Sequence, residues 1–389
     1  MQTFAALLLV LGPGSTAVQD RATGLRCDLA LSIDTAFLDR WDHTNLPNLS
    51  IVGSGHVVRG QRFGVYPVFS GYAVDEHGRV HITLDLRIAR PDGKTYFEEY
   101  GVEAIDQPGG DGTGLLLPRD PRFVIFDPED PAGTYGVHLD AHDLVSGKSV
   151  SADGTLRLVE YEEGKGFESS ADLQRWIGRF LADPQPERAI PALRSFALGG
   201  WSTELPSGRG SLRELFEANP WLFPILFEGF AEEDAATREL ALWLLARSTC
   251  EAEALVKDLG KEDRAVWERV SAEHDPLADP IEGRDDVNEL WGMYVLRRGF
   301  APLLRLCLAL APEETDVVAD LTIHDDSSGL DVPLARVVQR SVTKILADGI
   351  AWDPIARGYF DVLHRDEALP GGVSQAIVDL LAAPQESGK

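Results

Sequence analysis

Apolar residues alternate with polar residues in the first part of the chain and recur at every third or fourth position in the second. The alternation is clear from Val80 to Ile88, and the wider spacing is clear from Leu173 to Leu181. The first pattern places one face of a β-strand in a core, and the second does the same for a helix. The change lies near residue 160. It predicts an α+β protein in which a β-rich domain precedes an all-α domain.

The domain boundaries follow from this change of pattern. We expect a β domain over residues 18–160, a linker over 161–170 and a helical domain over 171–389. The linker prediction rests on the sequence EYEEGKGFESS at 160–170, where glycine and charge replace apolar periodicity. A chain of 389 residues is long enough for two separately cored domains.

The β domain contains about eight short apolar stretches separated by turn sequences such as RPDGK at 90–94. Proline presets the backbone φ in such a turn, and glycine supplies a positive φ. Many short strands without intervening helices predict an antiparallel β-sandwich.

The sequence DPAGTYGV at 130–137 resembles the D-x-G-x-Y-x-C run of immunoglobulin-like domains, with Val137 at the cysteine position. The DLVSGK sequence at 143–148 resembles the last hairpin of bacterial immunoglobulin-like modules. The resemblance implies an immunoglobulin-like sandwich in which the Tyr135 hydroxyl caps the preceding loop. It also implies a binding or spacer role, because such modules usually serve in one of these ways.

About ten helices joined by short loops are predicted after residue 170. Ser169 with Asp172 and Ser211 with Glu214 are typical of capping boxes, and Asp353 before a proline is typical of a helix start. Successive amphipathic pairs resemble an irregular HEAT-like stack, although no fixed sequence period is present. The LWG sequence at 290–292 resembles helical domains of bacterial secreted proteins of unknown function.

The N-terminus carries the apolar run FAALLLVL at 4–11, followed by a small-x-small triplet at 15–17. This pattern predicts a secretory signal peptide over residues 1–17 and a periplasmic or secreted protein. No basic residue precedes the run, so a buried strand or short helix is the alternative. No later segment has the ~20 apolar residues that a membrane span needs. Three cysteines leave a Cys250–Cys307 disulfide and reduced structural thiols both open.

The net charge of −27 is spread over both halves of the chain. It argues against nucleic acid as a partner, because affinity for phosphate backbones rests on lysine and arginine. Anionic membrane surfaces are disfavoured for the same reason. We expect a protein partner in the envelope and no cofactor.

The strongest chemical pattern lies on the strand predicted at 134–141. If Tyr135 points inward, His138, Asp140 and His142 line the outer face, where alternate residues lie ~7 Å apart. Two neighbouring side chains could then share a metal, with His81 or Asp85 as a further donor from a second strand. The alternative is an ordinary solvated strand face.

The chain contains no H-E-x-x-H, G-x-S-x-G or C-x-x-C motif. The leading hypothesis is therefore an exported, non-catalytic binding or scaffold protein that combines a β recognition module with a helical scaffold. The alternative is a metal-dependent hydrolase that uses His138, Asp140 or His142.

Overall fold

The computed structural model describes residues 24–44, 49, 51–109, 114–319, 321 and 333–383, together with the backbone of residues 15, 16, 322–325 and 330–332. The chain divides into two compact units. The first comprises Met1–Leu38 and Pro47–Glu162, and the second comprises Asp39–Leu46 and Glu163–Lys389. Apart from the backbone of residues 15 and 16, the predicted signal peptide lies outside the described residues.

The larger sheet of the first unit has six strands. They are β1 (Ser15–Thr16), β3 (His56–Val58), β5 (Arg79–Ala89), β6 (Thr95–Pro108), β8 (Gly133–Asp143) and β9 (Lys148–Val159). The strand order is β1-β9-β8-β5-β6, and β3 pairs with β9 in parallel. Register shifts interrupt the β5–β6 pairing at three points. Because such irregularities bend strands and increase their twist, this sheet curls into a half-barrel.

The smaller sheet has the order β2-β4-β7. Its strands are β2 (Arg26–Ser32), β4 (Arg62–Ser70) and β7 (Arg122–Ile125), and helix α1 (Phe37–His43) follows β2. One apolar cluster contains side chains from both sheets, including Leu29, Phe69 and Leu139. Buried residues alternate along β8, as the sequence pattern predicted, with Tyr135 facing inward.

The prediction of an immunoglobulin-like antiparallel sandwich is wrong. The larger sheet is curled, and the two sheets do not form a clear sandwich of that type. The sheet is also not purely antiparallel, because His56–Val58 runs parallel to the end of β9. The predicting motif describes a turn and one strand, whereas sheet curvature and strand pairing depend on residues far from it in the sequence.

The local contact predicted for Tyr135 is present nevertheless. Its ring is fully buried, and its hydroxyl donates to the Pro131 carbonyl oxygen at 3.0 Å. Tyr135→Phe should lower the free energy of unfolding by about 1 kcal/mol, because it leaves a partly buried carbonyl without this donor. Tyr135→Ala should cost about 3–5 kcal/mol, because it adds a cavity. Chemical denaturation would measure the unfolding free energy of both variants. Equal losses would contradict the expectation that the buried ring stabilises the fold in addition to the hydroxyl.

The second unit contains twelve further helices among its described residues. They are α2 (Ser170–Arg179), α3 (Ala189–Gly199), α4 (Gly208–Ala218), α5 (Leu222–Glu228), α6 (Ala235–Ala246), α7 (Ala252–Val256), α8 (Lys261–Ser271), α9 (Arg284–Arg297), α10 (Phe300–Leu308), α11 (Leu334–Trp352), α12 (Pro354–Leu363) and α13 (Gly371–Ala382). Strands β10 (Thr322–Asp325) and β11 (Leu330–Pro333) form an antiparallel pair. The prediction of a helical second domain is confirmed, and this strand pair is an addition that the sequence pattern did not predict.

Two of the three predicted helix starts are confirmed. The Ser169 side chain accepts from the Asp172 amide at the start of α2, and Asp353 accepts from the Ile355 amide at the start of α12. The prediction for Ser211 is wrong, because α4 already begins at Gly208. Ser211 lies inside α4, and its hydroxyl donates to the Gly292 carbonyl oxygen at 2.9 Å. A serine three residues before a glutamate can thus lie inside a helix and bond to a neighbouring helix instead of capping the helix start.

Residues 39–44 pack with the second unit although they lie between strands of the first. The Asp39 carboxylate accepts from the Phe300 amide at 2.7 Å, at the start of α10. The His43 ring stacks on Phe300 with 4.0 Å between ring centroids. Arg40 donates to the Arg297 carbonyl oxygen at 2.7 Å. The helical core is thus completed by a segment that is remote in sequence.

Among the described residues, no helix combines the length and the apolar character that crossing a bilayer requires. The cysteines are unpaired: Cys27 and Cys307 are buried, and Cys250 is half-buried. Burial raises the pKa of the Cys307 thiol, which keeps it protonated and unreactive.

Candidate ligand-binding site

The three residues predicted as metal ligands lie together on the exposed face of the larger sheet. The His138 ring contacts Asp153 at 2.7 Å and Asp140 at 3.2 Å. The His142 ring lies 2.8 Å from the Ser149 hydroxyl and 3.5 Å from the Asp85 carboxylate. These pairs follow from the strand register, which sets β8 between β5 and β9.

The proposed second donors are divided between two places. Asp85 approaches His142, whereas His81 lies between the carboxylates of Asp75 and Asp106 at 3.4 and 3.2 Å. In the described part of the chain, no group of three or more histidine, cysteine, aspartate or glutamate side chains is arranged to hold an ion. The metal site stays a prediction, which metal analysis of the purified protein and of His138→Ala would test.

The His138 contacts predict a small pH dependence of stability. Its hydrogen bond to Asp153 raises its pKa, and the Asp140 carboxylate adds to this effect. The stabilisation is complete below the unfolded histidine pKa of ~6.5 and is lost as pH rises through the higher folded value. Because the side chain is 46% exposed, solvent screening should keep the effect below about 1 kcal/mol.

Denaturation of the wild type and His138→Gln between pH 5 and 9 would measure this contribution. The difference in unfolding free energy between the two proteins should shrink as pH rises. A difference that grows with pH would contradict a raised histidine pKa.

A second polar site lies in the helical unit, in a cleft of about 660 Å³. Its lining comes from α3, α4, α6, α9 and the connections between helices; the residues are Phe196, Ser202, Thr203, Pro206, Arg209, Trp243, Arg247, Glu273, His274, Glu282, Asp285, Asp286, Asn288 and Glu289. Its volume lies in the range typical of small-molecule sites. A smaller depression of about 300 Å³ adjoins it and shares Arg209 and Trp243 with it.

Two guanidinium groups stack against one indole in this cleft. The Cζ atom of Arg209 lies 3.7 Å from the Trp243 ring centroid, and that of Arg247 lies 4.4 Å from it. Trp243 is only 2% exposed, so its ring is a fixed contact surface for both cations. The π face attracts each guanidinium, but the two like charges repel each other. An anion placed near both would relieve that repulsion. We call Arg209 and Arg247 the arginine pair.

Arg247 is held rigidly by the end of α8. Its side chain is 4% exposed and donates to the carbonyl oxygens of Val270 at 3.2 Å and His274 at 2.8 Å. Its Nε–H group is buried and has no hydrogen-bond partner within the described part of the chain. Burial lowers the pKa of this guanidinium, Glu289 partly offsets that effect, and Arg209 adds to it. The group is thus a desolvated cation with an unused donor.

Arg209 is the more exposed member of the pair. Its side chain is 44% exposed, and the one ion pair that it makes with another described residue, Glu273, is long at 3.5 Å. Glu273 lies 3.7 Å from Arg247 and 2.9 Å from Arg269, so its charge is shared among three guanidinium groups. A ligand anion would therefore compete with a weakly held internal carboxylate.

A buried ion cluster supports the wall of the cleft. Arg213 donates through both terminal nitrogens to Asp275, at 2.7 and 2.8 Å, and through Nη1 to Glu289 at 2.9 Å. Burial raises the pKa of Glu289, and Arg213 opposes that rise. The cluster fixes α4 against α9 and so sets the position of Arg209, which lies one helical turn before Arg213 on the same face.

The sequence-based search missed this cleft. Its residues are spread from 196 to 289, and single charged positions look like ordinary surface residues. One signal was available: Arg209 and Arg213 are four residues apart, as are Asp285 and Glu289. Such spacing places each pair on one helix face, with opposite charge on the two helices.

Comparison with known proteins gives no family for the chain. No family model matches it, and no curated protein matches it. Among solved structures, a family 123 glycoside hydrolase from Clostridium perfringens is similar at 10% identity and a TM-score of 0.20, over 36% of this chain and 28% of the hydrolase chain. A second, titled pT26-6p, is similar at 9% identity and a TM-score of 0.18, over 86% of this chain and 49% of the other. Such TM-scores support neither a fold assignment nor a function.

Proposed function

We propose that the protein is a non-catalytic binding protein whose helical unit takes a ligand in the cleft, with an anionic group of that ligand at the arginine pair. One observation carries the proposal: Arg209 and Arg247 stack on Trp243 at the cleft wall while the Arg247 Nε–H lacks a partner in the described part of the chain. Buried polar groups are nearly always hydrogen-bonded, so an unused donor beside a cleft favours a ligand there.

The main alternative is that the arginine pair only fastens helices together. That role accounts for the Arg247 bonds to carbonyl oxygens at the end of α8. It accounts less well for Arg209, which is half-exposed and stacks on Trp243, and whose ion pair in the described part of the chain, with Glu273, is long at 3.5 Å. Planar guanidinium groups suit carboxylate recognition, because they present several donors in a fixed geometry. Arg209 is therefore the residue that separates binding from packing.

Arg209→Gln should abolish anion binding while leaving the fold intact. We expect acetate or inorganic phosphate to raise the melting temperature of the wild-type full chain and not that of the variant. A probe at ten times its Kd should stabilise the wild type by about 1.4 kcal/mol through linkage. Without a probe, the variant should lose about 1–2 kcal/mol, because it removes a long ion pair with Glu273 and the stacking of a guanidinium on Trp243.

Arg175→Gln provides the matched control. Arg175 is a 68% exposed arginine of the same unit whose contact is with Asp172, one turn away on α2. It should respond to the probes as the wild type does. Binding at the cleft would be rejected if neither probe stabilised the wild type, or if Arg209→Gln responded as strongly as Arg175→Gln.

A further inference from the structure

The cleft has a second pole, of opposite charge to the arginine pair. Glu282, Asp285 and Asp286 line it near the start of α9, and we call these three residues the acidic rim. Asp286 accepts from the Glu282 amide at 2.6 Å and contacts the His274 ring at 3.2 Å. Glu282 and Asp285 are exposed, and neither makes an ion pair within the described part of the chain. In the described part of the chain these two carboxylates therefore have no cationic partner, and they can pair with a cationic group of a ligand.

The charges around the cleft exclude a simple ion of either sign as its best ligand. Among the described residues that line it, five carboxylates face two guanidinium groups. A bare anion at the arginine pair would meet an excess of negative charge, which the net charge of −27 reinforces. A bare cation would be repelled by the arginine pair. A ligand that carries both charges can place its anionic group at the arginine pair and its cationic group at the acidic rim. This complementarity also fixes the direction in which the ligand binds.

The size of the cleft suits a ligand longer than one amino acid. Its volume of about 660 Å³ falls in the range of sites for drug-sized ligands. The adjoining depression adds an apolar wall from Phe196, Leu240 and Val270, next to Arg209 and Trp243. An extended tripeptide spans roughly 10 Å, which is the scale of the separation between the axes of packed helices.

We propose that the cleft binds a short zwitterionic peptide, with the carboxylate at the arginine pair and the ammonium group at the acidic rim. This inference rests on the proposed function, since it needs an anion site at Arg209 and Arg247. It adds the requirement for a cationic group on the same ligand.

Calorimetry with three peptides on the full chain tests this inference. Trialanine carries both charges, N-acetyltrialanine lacks the ammonium group, and trialanine amide lacks the carboxylate. We expect trialanine to bind at least tenfold more tightly than either derivative. Its affinity should fall as ionic strength rises, because both contacts are partly exposed charge pairs.

Two variants assign each charge to its pole. Asp285→Asn should weaken trialanine at least fivefold and leave N-acetyltrialanine unchanged, because that derivative has no ammonium group to lose. Arg209→Gln should weaken trialanine at least tenfold and leave the amide unchanged. Asp258→Asn is the control for lost negative charge, since Asp258 is exposed and lies outside the cleft lining. A general loss of structure would weaken all ligands alike and is detected by this comparison.

Three results would overturn the inference, and they are distinguishable. If N-acetyltrialanine bound as tightly as trialanine, the cleft would be a plain anion site, and the proposed function would stand without its cationic requirement. If acetate, phosphate and all three peptides failed to bind the wild type, the proposed function would fall as well. Equal weakening of trialanine by Asp285→Asn and Asp258→Asn would also refute the acidic rim as the ammonium site.

Discussion

Gly292→Ala should lower the free energy of unfolding by about 3 kcal/mol or more. A Cβ atom at this position would lie 1.9 Å from the Ser207 carbonyl oxygen and 2.8 Å from the Ser211 amide nitrogen. Both atoms belong to the backbone at the start of α4, so the clash cannot be relieved by turning a side chain. Overpacking a tight contact typically costs 1–3 kcal/mol, and a backbone collision lies at the upper end or beyond.

Gly178→Ala supplies the control because it makes the same change in α2 without a clash. No atom lies within 4 Å of the added Cβ outside its own helix backbone. Alanine is favoured over glycine in helices, so this variant should gain up to about 1 kcal/mol. Denaturant titration of the two variants should therefore give shifts of opposite sign. Stabilisation by both would show that α4 and α9 are not in close backbone contact.

The sequence predicts well those elements that are fixed by interactions between residues close together in the chain. The alternation around Tyr135 predicted the buried face of β8, because side chains in a strand point to opposite faces with a period of two. Ser169 and Asp353 predicted helix starts, because each capping bond closes within three residues. In these cases the interacting groups lie inside one short window of sequence.

The errors concern contacts between remote residues. The motif around Tyr135 correctly predicted a hydroxyl-to-backbone bond and wrongly predicted an immunoglobulin-like sandwich. The parallel pairing of His56–Val58 with β9 joins segments about a hundred residues apart. The packing of Asp39 against Phe300 joins segments still farther apart, and it has no signature in either local sequence.

No helix over 261–271 was among the roughly ten helices that the sequence predicts, and α8 and the cleft were missed for a related reason. Within Lys261–Ser271 the larger apolar residues are Val266, Trp267 and Val270, and only Val270 is buried, so the apolar stripe is short and contributes little to the core. It is instead attached through polar contacts: Arg238 pairs with Asp263 at 2.9 Å, and Arg269 pairs with Glu239 at 2.7 Å. A helix that is attached to its neighbours through ion pairs has many charged residues, and its sequence therefore resembles that of a solvent-exposed segment. A cleft between such elements is visible only once the fold brings them together.

The buried charges beside the cleft give the other large expected effect. Arg213→Met should lower the free energy of unfolding by about 3–5 kcal/mol at neutral pH, because it leaves Glu289 and Asp275 without their shared guanidinium partner. Arg175→Met, which breaks an exposed pair with Asp172, should cost at most about 1 kcal/mol. The chain thus offers the same substitution at a buried and at an exposed arginine.

The pH dependence of that loss identifies its cause. Burial already raises the pKa of Glu289 against the opposing charge of Arg213, so removing Arg213 must raise it further. A carboxyl group with a raised folded pKa is destabilising above that pKa and is relieved when protonated. The difference between wild type and Arg213→Met should therefore shrink as pH falls from 7 toward 4.5. Adding Glu289→Gln to the variant should recover part of the loss at pH 7, because the amide carries no charge to bury. A loss that was independent of pH and unchanged in the double variant would mean that Arg213 stabilises the wall of the cleft through packing of its aliphatic stem, with its charge contributing nothing.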